Sequence, residues 1–584
     1  MCGIMGYVGN GNGIHATLVG LKRLEYRGYD SVGVGYKKGG DLVIKKCVGR
    51  VEDICRRLIP SEDHSTIVIS HTRWGTHGKI TDENAHPHAD CQGKIAIVHN
   101  GIIENFQDIK EFLSKRGHQF KSETDSEVIS HLIEEYLKTE NSFEEACKKA
   151  FSMLKGSFAI LALASGEDKI VGIRKDSPLV VGIKENESFI ASDIYALLPF
   201  TKEFIFLQNY DFITVGRGVV KIENLKEGKV ERPVEVIDIN LEYDGKEKYH
   251  HFMIKEIMEQ SEVIDRILEK NNGKIEVFSK EISSAKKVFL VGAGSSYHAC
   301  LYGSYLLTKA GIDSKPIVAS EFKYFEKLID KDSLVIAVSQ SGETADVIEA
   351  IRIAKKRGAK IFSIVNVYGS TVMRESNDYI LMNVGFEVGV AATKTFTSQL
   401  IIFLLIYKSI MGEGFDGREL QSKILDLLGR SRREFMEKVV DYLKEKDHVF
   451  LIGRGLSFIS AEEAALKIKE VSYIHAEAFP GGELKHGTLA LIENGTPCIV
   501  FVDRENKDEI LSNAHEVKTR GGFIIGISPE RDEVFDIWIK IPEANEELTI
   551  MQVIPIQILA YLLALKKGYN PDYPRNLAKS VTVK

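Results

Sequence analysis

Two stretches of this chain repeat each other. Val288-Phe-Leu-Val-Gly-Ala-Gly-Ser-Ser296 and Val449-Phe-Leu-Ile-Gly-Arg-Gly-Leu-Ser457 lie 161 residues apart, and each is an apolar strand running into a Gly-x-Gly turn and a helix start. A second pair, Lys356-Arg-Gly-Ala-Lys-Ile-Phe-Ser-Ile364 and Thr519-Arg-Gly-Gly-Phe-Ile-Ile-Gly-Ile527, follows at nearly the same offset. Two tandem copies of one doubly wound, parallel-sheet α/β domain account for both pairs. Neither copy completes Gly-x-Gly-x-x-Gly, so the turns are read as helix–sheet packing and not as a dinucleotide site.

The residues before about 235 have another character. Short strand-like runs at Thr66–Ser70, Ile95–Val98, Phe158–Ala164, Val180–Ile183 and Phe189–Ala191 alternate with few helix patterns, among them Asp125–Leu137, an α+β signature. The charged, Gly-containing stretch Leu241–Lys248 reads as the linker between the two regimes. A chain of 584 residues has room for these domains, each with its own core.

Composition excludes several classes. With 44% apolar and 27% charged residues and a net charge of −7 without like-charge blocks, the chain is neither disordered nor built for nucleic acid or an anionic membrane. The longest apolar stretch, Ile550–Leu565, is broken by Gln552, Pro555 and Gln557 and is shorter than a membrane span, so a buried helix is expected. The N-terminus lacks the charged start of a secretory signal, and a cytoplasmic location is expected. Seven scattered cysteines without a CxxC pair argue against disulfides and zinc ribbons, and most are expected to be buried thiols.

In the first copy the strand Leu334–Val338 ends in Ser339-Gln340-Ser341-Gly342-Glu343-Thr344 before a helix at Ala345–Lys355. Hydroxyls, a Gly and free N–H groups at a helix start after a parallel strand suit a phosphate better than simple capping does. The corresponding turn of the second copy, Asp503-Arg504-Glu505-Asn506, carries carboxylates. The pair of domains is therefore expected to bind one phosphorylated ligand.

At the other end, Cys2 follows the initiator Met1. Removal of Met1 leaves a thiol and an α-amine on one residue, a nucleophile with its own base. Arg73 in Arg73-Trp74-Gly75-Thr76-His77 suits a carboxylate, Asn100-Gly101 after a strand suits an oxyanion, and Asp125 is either a helix cap or, with Arg73, half of an amino-acid clamp. His71, His77, His86, His88 and His99 lie on different segments without metal-ligand spacing, so no metal is expected.

The segments MCGIMGYVG, LEYRGYDS, HTRWGTHG, HNGIIEN and ETDSE resemble the glutaminase domain of class II, N-terminal-nucleophile amidotransferases. VSQSGETAD, GVAATKTFTSQL, LKIKEVSYIHAEAFPGGELKHG and the tail PRNLAKSVTV are similar to the glucosamine-6-phosphate synthase family. The resemblance implies an αββα glutaminase domain at 1–240, a linker and helical lead-in at 241–280, sugar isomerase domains at 281–425 and 440–575, and a catalytic tail at 576–584. It implies that Cys2 attacks the glutamine amide, that Asn100 and Gly101 form the oxyanion hole, and that Arg73, Thr76, His77, His86 and Asp125 hold the amino acid. Trp74 would gate ammonia between the two sites.

On the sugar side the resemblance assigns phosphate and sugar contacts to Ser295, Ser296, Ser339, Gln340, Ser341, Thr344, Val390, Ala391 and Lys467. Lys579 would form a Schiff base with the ketose, Glu470 would move a proton between C1 and C2, and His486, supplied by the partner of a homodimer, would open the ring. The substrates would be L-glutamine and fructose 6-phosphate, with no cofactor, metal, nucleic acid or membrane. MCGIMG for the usual MCGIVG and Thr488 for the usual Pro replace no chemical group. The insertion found in eukaryotic relatives is absent, which speaks against feedback by a nucleotide sugar. The competing readings are a sugar-phosphate sensor with a vestigial glutaminase and a class II amidotransferase with another acceptor.

Overall fold

The computed structural model describes residues 2–60, 62–237, 245–434 and 438–582, without side-chain detail at 272 and 430–434. Met1, whose removal the N-terminal chemistry requires, and residues 241–244 of the expected linker lie outside the described residues. The chain divides into two units, one of residues 1–243 with 578–584, the other of residues 244–577.

The first unit is a four-layer αββα sandwich. An eight-stranded antiparallel sheet, with Gly3–Val8 between Ile67–Arg73 and Glu187–Ala191, faces a seven-stranded one in which Ile95–Ile103 pairs with Gly156–Ala164. Alternation along these strands places Ile4, Ile69, Val98, Leu161 and Ile213 in a dry layer between the sheets. The helices Phe106–Ser114, Glu127–Leu137 and Phe143–Ser152 cover the outer face of the second sheet, burying Ile109, Leu132 and Phe151. The helix Gly13–Leu24 covers the first.

The second unit holds two five-stranded parallel sheets of the same order. In the first, Lys287–Gly292 lies between Ser314–Val318 and Ser333–Ser339; in the second, His448–Gly453 lies between His475–Pro480 and Pro497–Phe501. The repeated Gly-x-Gly has the same cause in both. A Cβ on Gly292 would stand 2.7 Å from Ser296 backbone and one on Gly453 2.2 Å from Ser457 O, so only Gly lets the following helix turn come so close. Gly294 and Gly455 take φ of +55° and +52°, which L side chains resist.

One apolar core joins both copies around the helices Lys394–Met411 and Leu548–Lys566. The second is long and apolar enough to cross a membrane by length and composition, but 89% of its most apolar window is buried within the protein. Its polar residues have partners inside: Gln552 donates to Ser457 Oγ at 3.0 Å, and Gln557 accepts from Gln260 at 2.8 Å. Much of the expected lead-in belongs to this core, since Val263–Ser284 buries Ile264, Ile267 and Phe278 in it. Leu559 is fully buried there, and Leu559→Ala should destabilise this unit by about 2–5 kcal/mol. The check is the urea midpoint of its unfolding; an unchanged midpoint would mean that the helix does not carry the core.

Candidate active site

Strand pairing brings the first cluster together. Gly3 sits opposite Thr72, so half-buried Cys2 stands beside the end of the Ile67–Arg73 strand and the loop beyond it. Trp74 N donates to Cys2 Sγ at 3.2 Å, and Asn100 Nδ2 donates to Cys2 O at 3.0 Å. Burial pushes the Cys2 thiol above its ordinary range, against the pull of Arg73. Gly101 has φ of +124°, and a Cβ there would lie 1.9 Å from Ser157 O; the position accepts only Gly.

Asn100 is held by His71. His71 Nε2 lies 3.0 Å from both His99 O and Asn100 Oδ1. A carbonyl accepts only, so Nε2 carries the proton, and the Asn100 amide is turned with its NH₂ toward Cys2. His71 stacks on His86 at 4.1 Å, His86 packs edge-on against His88, and His86 Nδ1 accepts from His99 N at 3.3 Å. Folding thus gathers four of the five histidines that the sequence scatters. His86, expected to line the pocket, stacks directly on the ring that holds Asn100.

Arg73 is buried and donates to the carbonyls of His77, Gly78 and Lys79, which folds the following loop around it. Burial lowers its pKa, partly offset by Cys2, Asp30 and Asp125. Asp125 is no helix cap: its Oδ2 accepts from Ile103 N at 2.7 Å, tying the Glu127–Leu137 helix to the strand bearing Asn100. Thr76 is exposed, His77 half-buried at 3.4 Å from Thr76 Oγ1, and Trp74 packs edge-on against Tyr29. Sequence reasoning missed Asp30, which accepts from Gly75 N at 2.8 Å and pins the Trp74 loop.

The second cluster lies between adjacent strands whose connections leave in opposite directions, the point where doubly wound sheets hold ligands. There Ser339 Oγ accepts from Gly342 N at 3.0 Å and lies 3.1 Å from Thr344 Oγ1, while Ser341 Oγ accepts from Glu343 N at 3.1 Å. Gly342 (φ +63°) could not carry a Cβ, which would stand 2.1 Å from Ser370 Oγ. Gln340 lies half-buried in this turn, Ser296 Oγ accepts from Gln399 at 3.0 Å, Val390 N donates to Asp572 O, and Ala391 is fully buried. In the second copy Asp503 occupies the matching turn, accepting from Ser457 Oγ at 3.1 Å and Asn506 N at 2.6 Å. The cavity beside it is lined by Asp503, Glu505 and Glu546 with Lys309 and Arg504.

A buried charge network adjoins Ser295. Lys467, fully buried, lies 2.6 Å from Glu470 and 3.4 Å from Glu463, and donates to Ser295 Oγ at 3.2 Å. Burial works against its charge, but Glu463 and Glu470 outweigh it and hold the ammonium above its ordinary range. Burial likewise opposes ionisation of Glu463, which Lys467 and His298 nonetheless hold below the usual carboxylate range. Glu470 is therefore no solvated helix charge; its side chain is 19% exposed. Sequence reasoning missed Glu463 and His298, although Glu463 and Lys467 stand i,i+4 on one helix. His486 is exposed on the turn after His475–Pro480, and Lys579 is half-buried in the segment grouped with the first unit.

Burial lowers the pKa of His71 to about 3 and also depresses His86, His88 and His99. Each takes up its proton more readily when unfolded. Their stabilising effect is thus complete above the ordinary histidine pKa of about 6.5 and is lost as pH falls below it, for His71 down to about 3. Urea unfolding of the first unit, followed from pH 7 to pH 4, should show this acid loss; a flat profile would mean that these rings are protonated or solvated in the fold.

Comparison with known proteins agrees with both kinds of domain. A glutamine amidotransferase domain model matches residues 71–199, and a SIS domain model matches 281–409 and 442–567. The glutamine–fructose-6-phosphate aminotransferases (isomerising) of Thermococcus kodakarensis and Pyrococcus horikoshii are 45% and 43% identical over the whole of both chains. The C-terminal domain of the glucosamine-fructose-6-phosphate aminotransferase of Francisella tularensis superposes with a TM-score of 0.51 at 32% identity, covering 56% of this chain and 100% of that one. With relatives this similar end to end and both kinds of domain in place, the chain belongs to the isomerising glutamine–fructose-6-phosphate aminotransferase family.

Proposed function

We propose that Cys2 releases ammonia from L-glutamine and that this nitrogen, kept from bulk water, aminates fructose 6-phosphate to give glucosamine 6-phosphate and glutamate. The observation that carries the glutaminase half is the orientation of Asn100. With Oδ1 engaged by His71, its NH₂ faces Cys2, where a tetrahedral oxyanion would develop.

With Met1 removed, the Cys2 amine takes the thiol proton through a water and Sγ attacks the amide carbon. Asn100 Nδ2 and the Gly101 N–H stabilise the oxyanion, the protonated amine returns its proton to the nitrogen as the C–N bond breaks and ammonia leaves, and water then hydrolyses the thioester to glutamate and the free thiol. Arg73 holds the substrate carboxylate and Asp125 its ammonium, with Thr76, His77 and His86 lining the pocket. Trp74 gates the ammonia.

On the sugar side Ser339, Gln340, Ser341 and Thr344 take the phosphate and sugar hydroxyls, with Ser295, Ser296, Val390 and Ala391 beside them. Lys467, already paired to two carboxylates, acts mainly by holding Glu470 in place. Lys579 forms the Schiff base with the ketose carbonyl, ammonia replaces the lysine nitrogen at that carbon, and Glu470 moves the proton between C1 and C2. His486 of the partner subunit opens the sugar ring, which makes the working enzyme a homodimer; its place is the cytoplasm, and the lysine imine requires no cofactor.

Purified protein given glutamine and fructose 6-phosphate should form glucosamine 6-phosphate. Cys2→Ala should abolish this while leaving synthesis from ammonium salt; glutamate release without aminosugar would point to another acceptor. Trp74→Ala should still hydrolyse glutamine yet lose transfer, and retained coupling would remove the gate. Glu470→Gln should lower aminosugar formation from ammonium about 10²- to 10⁴-fold, the usual contribution of a general base, and near-normal turnover would exclude that role.

A further inference from the structure

A set of metal-binding side chains lies in the first unit, outside the residues assigned to glutamine. Cys91 occupies the tight turn between His88–Ala89 and Ile95–Ile103, a turn closed by Asp90 Oδ1 accepting from Lys94 N at 2.7 Å and Ile95 N at 2.8 Å. His118 lies in the connection between the helices Phe106–Ser114 and Glu127–Leu137, its N–H bonded back to Leu113 O. His131 and Glu134 stand i,i+3 on the second of these helices, on one face.

Four atoms converge on one point. Cys91 Sγ is 3.6 Å from His118 Nδ1 and 3.4 Å from His131 Nδ1, and the two nitrogens are 3.4 Å apart. Glu134 Oε2 is 3.1 Å from His118 Nδ1 and 3.5 Å from His131 Nδ1, and all four ligand atoms lie within 4.8 Å of one another. Zinc bonds to sulfur, nitrogen and oxygen of about 2.0–2.3 Å, arranged tetrahedrally, place neighbouring ligand atoms about 3.3–3.6 Å apart. Four of these five separations fall on those edges and the fifth, 3.1 Å, lies just below them, while Cys91 Sγ and Glu134 Oε2 lie within 4.8 Å of each other.

We propose that Cys91, His118, His131 and Glu134 form a tetrahedral zinc site. The surroundings fit a metal centre. His118 Nε2 lies 3.0 Å from Glu135 Oε2, and His131 Nε2 faces Glu127 Oε1 at 3.5 Å. Both rings turn Nδ1 inward; Glu135 bonds His118 Nε2, the arrangement that fixes a ligating imidazole in its tautomer, and Glu127 faces His131 Nε2. Glu134 Oε2 is further held by the Cys91 N–H at 3.1 Å. A thiolate and a carboxylate balance the charge of Zn²⁺, and one sulfur, two nitrogens and one oxygen at tetrahedral spacing favour zinc over harder cations. On loading, the thiol gives its proton to solvent as the sulfur–metal bond forms.

The two histidines are buried while Cys91 reaches the surface, leaving a way in for the ion. With four protein ligands the site is closed, hence structural and not catalytic. It ties the turn preceding the Asn100 strand to the helix that follows Asp125. The short-spaced motifs by which a sequence is searched for metal pass over it, because its ligands are separated by 27, 13 and 3 positions.

The test is elemental analysis of the full-length protein after equilibration with zinc and gel filtration. About one zinc per chain is expected, falling at least tenfold in Cys91→Ser and in His131→Ala. Glu135→Gln should weaken zinc about 10- to 100-fold in competition with a chromophoric chelator. Should either ligand variant fail to fold, cobalt titration of the unmodified protein serves: one equivalent should give the visible bands of a tetrahedral ion and a thiolate charge-transfer band. Less than a tenth of a zinc per chain, zinc unchanged in Cys91→Ser, or cobalt bound without the thiolate band would each overturn the site. None of these readouts depends on glutaminase or synthase activity.

Discussion

The pairing of Gly3–Val8 with Ile67–Arg73 is the constraint on which the glutaminase half depends. A nucleophile at the second residue of a chain would ordinarily fray. Here it is anchored because the strand that follows lies inside an eight-stranded sheet, hydrogen-bonded on both edges. The register is tight: a Cβ on Gly3 would stand 2.6 Å from Thr72 Oγ1, so strand and nucleophile have one position relative to Arg73 and Trp74. From that position the rest follows by hydrogen bonds, Trp74 N to the sulfur and Asn100 to the carbonyl.

Both halves use buried polar groups to orient reactive ones. In the first unit neutral, desolvated histidines stack behind Asn100 and select one face of its amide. In the second, the Lys467 ammonium is held between two carboxylates, so Glu470 is restrained without losing its charge partner. Such groups are costly unless fully paired, which is why they lie where apolar packing already fixes the backbone. The isomerase pair shows one fold with two turn chemistries: the same turn holds hydroxyls in one copy and Asp503 in the other.

Much of this was legible along the chain. Strand periodicity located the Ile95 and Phe158 strands, and the repeat located both parallel sheets and their glycines, because strand–turn–helix units are local in sequence. The buried helix at Leu548–Lys566 was also legible, since its two glutamines and a proline suit a core with partners for the amides better than lipid. Other relations were not legible where distance intervenes. The lead-in packs into the core from Met253 on, Asp125 bonds to a strand 22 residues away and does not cap its helix, and His86 stacks on His71 from another segment.

By itself the sequence determined the groups present: a thiol at Cys2, a hydroxyl-rich turn at a helix start, and two copies of one α/β unit separated from an α+β domain. Those are properties of residue type and short spacing, which periodicity and turn chemistry expose. Only the tertiary structure decided which nitrogen of His71 carries the proton, that Lys467 and Glu470 form a buried pair, and that Cys91 meets His118, His131 and Glu134. These depend on loops and helices brought together across tens of residues, and on the desolvation that follows, neither of which a linear pattern carries.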